Sequence, residues 1–377
     1  MPFKPPFCPY PECMNHQGSE IHHVNWFVRN GHAHCRRTGI TARFRCKRCH
    51  RYFSENTFHL DYRTHHRLDY RRIFSSVNAA SGIRDMAREF KVSDKVILNR
   101  ISRLARQSMA ALSQLARQHQ IDEDLAIDGF ESFVHSQYWP NNFTIAVGSH
   151  SQFVYACDYA QMRRKGRMTA RQKRRREMLN QRYPIAGKQL ERSFTDVIDS
   201  LLHRWIRGPE HDQRILHSDE KREYQWSLGS HPQWKAWKAQ GMVRHQRTSS
   251  RVVRSCENPL FPVNYLDREF RKDQACHVRE TVQWSKTVNN AMERMMVYLA
   301  YHNLFKPYRI KERSDLTHAE MAGIPGQRVR SIRRGMFTRR SFVHHLVLDI
   351  SQWKTWHRIW KTPVFDLKVD VPEFAVA

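Results

Sequence analysis

Two sets of residues in this chain could do chemistry. The first is a group of thiols near the start: Cys8 and Cys13, separated by four residues in CPYPEC, and Cys46 and Cys49 in RFRCKRCHRYFS. Four thiolates on two turns suit a closed tetrahedral zinc site. The second pair is the more specific, with Arg-aromatic-Arg ahead of it and an aromatic two residues after His50. The first is looser, because 32 residues separate Cys13 from Cys46, and Cys35, His16, His22 or His23 could take one ligand position. A zinc ribbon of this size does not fold without its metal, so the Zn²⁺ is expected to be structural. Cys157, Cys256 and Cys276 are scattered and read as reduced core residues.

The second set is acidic. LAIDGFESF places Asp128 after an apolar run, and RILHSD finishes another apolar run in Asp219. A carboxylate at the pole of an apolar strand is costly unless something compensates it, and a divalent cation does so well. Two such groups on neighbouring strand ends could hold Mg²⁺ or Mn²⁺ for an in-line phosphoryl transfer. The plain alternative for each is a cap or turn residue.

Strands must position these carboxylates. LAIDGFESFV, FTIAVG and QFVYACD are short apolar runs separated by the turn-like WPNN and GSHS, which predicts an antiparallel meander. Helices are expected near 169–182 and 190–206, then a fourth strand at RILHSD, a helical stretch through DREFRKDQACHVRE and another from about Asn289. Three adjacent strands, then helices, then a further strand is an α/β layering pattern. Upstream, SGIRDMAREFKVSDKVILNRISRLARQ has the layout of a helix-turn-helix. Ile83, Met86, Ala87 and Phe90 form one apolar stripe, Lys91-Val92-Ser93 turns the chain with Ser93 as N-cap, and Val96, Ile97, Ile101 and Leu104 face inward. That leaves Asp94, Lys95, Asn99, Arg100 and Arg103 as an outward face for bases and phosphates.

Charge narrows the partner. The 377 residues carry 64 Lys and Arg against 36 Asp and Glu, a formal +28, which calls for a polyanion. No apolar run approaches the roughly 20 residues of a membrane span, and MPFKPPFCPY has no signal-peptide core. A soluble, cytoplasmic, nucleoid-associated protein is expected. The run at 162–176, with nine Lys or Arg including Arg163, Arg164, Lys165, Arg174 and Arg175, reads as a phosphate track. Arg328, Arg330, Arg333, Arg334, Arg339 and Arg340 add a basic tail, in which Trp353, Trp356 and Trp360 would share one helical face for packing or dimerisation.

The order of ribbon, helix-turn-helix, IDGFESFV, a second strand-end Asp and a basic helix leading to RETVQWSK resembles bacterial insertion-sequence transposases of the DDE class, over about residues 5–330. NYLDREFRKDQACHVRETVQWSK is similar to their third-motif helix, and THAEMAGI to their Thr-Pro-x-x-x-Ala-Gly ending, with His318 in place of Pro. The resemblance implies an RNase H-like catalytic core, a site of Asp128, Asp219 and a third acidic residue, double-stranded DNA as partner, and a homodimer or higher assembly. The third residue departs from the family: Asn264 stands where many relatives carry Glu, with Arg271 seven residues on. Asp267 shares the face of Asn264 and Arg271, since offsets of three, four and seven align on a helix. It is the preferred third ligand, assisted by Asn264. Glu269 points elsewhere, and Glu293 lies 74 residues beyond Asp219 against 48 for Asp267.

The expected organisation is a zinc ribbon at 1–60 and an all-α helix-turn-helix domain at 61–120. An α/β RNase H-like core follows at 121–325, with a basic insertion near 160–190, and then a tail at 326–377. The expected activity is Mg-dependent cleavage and strand transfer at terminal inverted repeats. The alternative is a DNA-binding regulator or architectural protein with an inactive RNase H-like domain.

Overall fold

Apolar alternation in residues 125–161 builds the centre of the molecule. A computed structural model describes residues 3–17, 25–35, 39–116, 119–206, 213–249, 251–278, 281–309, 315–341, 360–363 and 369–370. In chain order, the head holds α1 (Met14–Gln17), β1 (Phe27–Cys35), β2 (Gly39–Cys46) and β3 (Tyr52–Ser54). The helices α2 (Tyr70–Val77), α3 (Ile83–Phe90) and α4 (Asp94–Ala116) follow. The sheet begins with β4 (Leu125–Phe133), β5 (Pro140–Gly148) and β6 (Val154–Gln161). Next come α5 (Ala170–Arg182), α6 (Gln189–Trp205), β7 (Arg214–Ser218), α7 (Arg222–Ser230), α8 (Pro232–Ala239) and β8 (Val243–Arg247). The last described elements are α9 (Phe261–Asp273), α10 (Val288–Leu304), α11 (His318–Met321), α12 (Gly326–Gly335), β9 (Trp360–Lys361) and β10 (Val369–Asp370).

The meander predicted from sequence is present, and the protein is mixed α/β with a five-stranded sheet in the order β6-β5-β4-β7-β8. β4, β5 and β6 pair antiparallel, while β7 runs parallel to β4 and β8 parallel to β7. Strands β4, β6, β7 and β8 therefore all point their carboxyl ends to one edge. Helix α6 covers one face, where Ser193 donates to Thr144 at 2.9 Å. On the other face lie α9 and α10, with Phe270 against Phe130 at 4.9 Å and Tyr298 against Phe270 at 4.9 Å.

α4 is longer than a helix-turn-helix needs, and its second half is buried against α10. Its interior residues from Ile97 to Leu115 share one continuous core with the sheet and with α10. The helical segment is thus packed into the α/β body, whereas the head keeps its own small core around Trp26, Phe44, Phe53 and Phe58. The two meet at residues 57–60, where Arg103 and the Tyr70 hydroxyl donate to the Leu60 carbonyl and Arg340 donates to the Thr57 carbonyl.

Several expectations are corrected. The helix through DREFRKDQACHVRE stops at Asp273. Cys276 is buried, Cys157 half-buried and Cys256 exposed, so the last is no core residue. Trp360 lies in a two-residue strand, not on a helix, and Trp353 and Trp356 fall outside the described residues. Helices α7 and α8 and strand β8 were not expected. The polar VRHQR of β8 lacks the apolar alternation that identifies a strand, and parallel pairing to β7 supplies the stability its sequence does not advertise.

His318 explains what the THAEMAGI departure does. Thr317 and Glu320 form a reciprocal capping box, and His318 Nδ1 donates to the Ser151 carbonyl at 3.0 Å. Its ring stacks on His302 at 3.9 Å, and His302 donates to the Gln152 carbonyl at 2.8 Å. Burial pushes His318 down to about 4, and burial with the His318 ring also lowers His302. Both are neutral when folded and bind protons on unfolding. Stability is therefore complete above the ordinary histidine range and declines as pH falls from about 6.5 towards 4. At pH 5 His318 alone should cost about 2 kcal/mol, and His318→Gln should flatten that part of the melting-temperature profile. Parallel profiles for variant and parent would contradict this.

Candidate functional site

The head gathers four thiols at one point. Cys8, Cys13, Cys46 and Cys49 place their sulfur atoms within 4.8 Å of one another. The Cys8–Cys49 and Cys13–Cys46 separations are both 3.7 Å. A tetrahedron with Zn–S bonds of about 2.3 Å has edges of about 3.8 Å, so the cluster could hold a structural zinc ion. The chain forms this cluster because Cys46 ends β2 and accepts a backbone hydrogen bond from His50 N, while Cys13 precedes α1. Of the alternatives, His16 uses Nδ1 on the Cys8 carbonyl at 2.7 Å and braces the first turn. Cys35 pairs with Gly39 at the far end of the hairpin from Cys46, roughly 25 Å along the strand. His22 and His23 lie outside the described residues. Burial opposes ionisation at Cys46, but bonds from the Cys49 and Arg48 backbone and the Asn15 amide outweigh it and bring that thiol down to about 7.

The acidic site is set by strand register. β7 pairs with β4 through Leu125↔Leu216, Ala126↔His217 and Ile127↔Ser218. The next residues along the two strands are Asp128 and Asp219, so parallel pairing places these carboxylates side by side at the carboxyl edge. Ligands in open α/β sheets bind at such edges. Ser218 anchors the end of β7 through a 2.8 Å contact with His245 of β8. Asp128 accepts from Gly129 N at 2.6 Å, and Asp219 accepts from Lys221 N at 3.1 Å.

Lys221, at the start of α7, completes the pair. Its ammonium lies 2.7 Å from Asp128 Oδ1 and 3.2 Å from Asp219 Oδ2. Both carboxylate side chains are 21% exposed. Burial opposes the lysine's charge, but Tyr224, Asp128 and Asp219 together raise its proton affinity well above normal. Asp219 is itself raised, by burial and by the charge of Asp128, against Lys221. Sequence reasoning missed Lys221, although its place two residues after Asp219 was the available signal.

α9 brings the third carboxylate. Asp267 is half-buried and pushed up to about 7, first by burial and then by Asp128, with Arg271, Lys221 and Arg254 pulling the other way. It therefore belongs to the same electrostatic site as Asp128. Asn264 is half-buried one turn earlier on α9. Arg271 lies 4.9 Å over the Phe130 ring, beside the strand that carries Asp128. Glu269 does not join the site: it is buried with Asp273 around Lys306. Glu293 is buried inside α10 and accepts from Asn289. The three aspartates are not as tightly gathered as the four thiols, which among the described residues are the one group of three or more ligands closing within 4.8 Å.

The proposed DNA face also changes. Arg100 is 3% exposed, donates to the His66 carbonyl at 2.7 Å and approaches Asp61. It is a structural residue of the helical segment. Arg103 is tied to Leu60 and Asn99, and Asn99 accepts from both arginines, so Lys95 is the one fully exposed cation of that set. In the basic insertion, Arg163 donates to the Ile185 carbonyl, and Arg164 and Arg175 lie over Tyr138. Lys165 and Arg174 are exposed, and α5 buries none of its residues. The loop leaves β6 at the carboxyl edge, and Lys165 approaches Glu223 at 3.9 Å, next to the turn that carries Lys221.

Compared with family models and with curated proteins, the sequence matches none. Among the described residues no helix is long and apolar enough to cross a membrane.

The cysteine geometry has a direct consequence. The protein as purified without chelator should contain one zinc per chain by elemental analysis. Cys46→Ser should abolish retention, with loss of the head's protection from proteolysis and an intact α/β body. Full zinc retention by the variant would contradict the assignment.

Proposed function

We propose that the chain is a DDE-type DNA transposase, cutting and joining strands at the carboxyl edge of an RNase H-like sheet. The observation that carries the reading is the side-by-side register of Asp128 and Asp219, with Asp267 from α9 in their field. The strand arrangement supports it: an antiparallel meander followed by two parallel strands, with helices on both faces. The excess of 28 positive charges supports nucleic acid as the substrate.

The donor set fits a hard divalent cation such as Mg²⁺ or Mn²⁺. Carboxylate oxygens are the ligands such ions take, and Asp267 holds its proton up to about 7 because burial and the charge of Asp128 outweigh Arg271, Lys221 and Arg254. Asp128, Asp219 and Asp267 would hold the ion, with Asn264 as an auxiliary oxygen donor. When bound, the metal supplies a lowered pKa for the attacking water or 3′-hydroxyl and charge stabilisation for the leaving oxygen. Lys221 and Arg271 place positive charge beside the acids, suited to orienting a phosphate. The exposed Lys95, Lys165 and Arg174 would position the duplex by its backbone.

The test uses DNA carrying the ends of the element that encodes the chain. Asp128→Asn and Asp219→Asn should each reduce magnesium-dependent strand joining by at least about a hundredfold, the scale on which one lost catalytic group acts, while leaving duplex binding intact. Joining at the parental rate by either variant would remove the enzyme reading and favour a DNA-binding regulator.

A further inference from the structure

A second cationic place lies farther along the same strand. β4 ends near Val134, which bridges to Ser285, and His135 N donates to the Ser285 carbonyl at 2.8 Å. The segment 281–286 is thereby fixed beside the start of α3 and α4. Between them is an open cleft of about 470 Å³, lined by Arg84, Arg88, Trp284, Lys286, Asn290 and Arg294 among others.

The charges in this cleft do not cancel. Four cations, Arg84, Arg88, Lys286 and Arg294, face two carboxylates there, Asp94 and Asp85, and Asp85 is paired with Arg88. Arg84 and Lys286 have no carboxylate partner among the described residues, and Arg294 is engaged with the Cys276 thiol. Lys286 is held with its ammonium 3.7 Å over the Trp284 ring, and burial with the nearby charge of Arg84 lowers its proton affinity. The Trp284 indole N–H is buried and finds no acceptor among the described residues. Cations that repel one another and an orphaned donor lack an anion with several acceptor oxygens. Arg84, Lys286 and Arg294 come from α3, the 281–286 segment and α10, so the cleft is wider than a single bound phosphate needs.

We propose that this cleft binds the phosphodiester backbone of a nucleic acid strand that runs from the helix-turn-helix segment to the acidic site, a refinement that rests on the function proposed above. Val134 lies six residues beyond Asp128, about 20 Å of extended strand. That distance spans roughly six base-pair steps of a duplex. Arg84 and Lys286 each hold one phosphate, and Trp284 N–H donates to a backbone oxygen.

The full-length, zinc-loaded chain is titrated with a fluorescein-labelled random-sequence duplex of about 30 base pairs, over a series of salt concentrations. Arg84 and Lys286 are both exposed, so the double variant Arg84→Gln/Lys286→Gln should melt as the parent does. Its salt slope should be shallower by about 2, since each phosphate contact contributes about 0.9. Arg84→Lys/Lys286→Arg should keep the parental slope. DNA should also slow hydrogen exchange in 281–286 of the parent. A Gln double variant with the parental slope, or exchange in 281–286 unaffected by DNA, would overturn the cleft; strand joining by the parent would then still stand. A parent chain with no affinity for the duplex would overturn the cleft and the transposase reading together.

Discussion

Two like charges forced together by backbone hydrogen bonds are the constraint around which this structure is arranged. The parallel register of β4 and β7 leaves Asp128 and Asp219 no freedom to separate, because sliding one strand by a residue would turn every apolar side chain to the wrong face. The cost of that proximity must be met locally. Lys221 meets it, with one ammonium shared between two carboxylates. Its position is fixed by the turn into α7, whose Tyr224 stacks on Phe194 of α6 at 4.4 Å and so ties the site to the far face of the sheet.

The third acid depends on a different anchor. α9 is held to α10 by Lys306, which is buried between Glu269 and Asp273 and close to the Tyr298 hydroxyl. Removing one member of a buried ionic cluster is strongly destabilising, because the others lose their compensation. The cluster fixes the axis of α9 and with it the side of the helix that meets β4. Asp267 and Arg271 face the strand from that side, while Glu269 is committed to the anchor. One helix thus divides its acids between the buried anchor and the strand-end carboxylates. The same economy appears on α4, where Arg100 holds the helical segment together and leaves Lys95 exposed.

What the sequence disclosed follows from which forces leave a local trace. The meander was legible because half-buried strands alternate, and the four thiols because zinc requires particular residues at short spacing. Asp128 and Asp219 stood out as acids ending apolar runs. Their adjacency was expected from the resemblance and not from any local pattern, since it depends on a parallel pairing between segments about 90 residues apart. β8 was hidden because its polar VRHQR is a strand only by virtue of its neighbour. Arg100 was misplaced for a related reason: helical periodicity shows which side is apolar but cannot show that a loop carbonyl, His66, waits on the other. Lys221 lay in plain view, yet a lysine in so basic a chain carries little information until its partners are known.

The central claim is that the place now taken by the Lys221 ammonium is a cation site belonging to the two strand-end aspartates and shared with Asp267. Diffraction from crystals grown with Mn²⁺, recorded at a wavelength where manganese scatters anomalously, tests it most directly. The account expects an anomalous peak in contact with Asp128 and Asp219, with the Lys221 side chain moved away from at least one of them. Manganese found only elsewhere, with Lys221 still bridging both carboxylates, would contradict it.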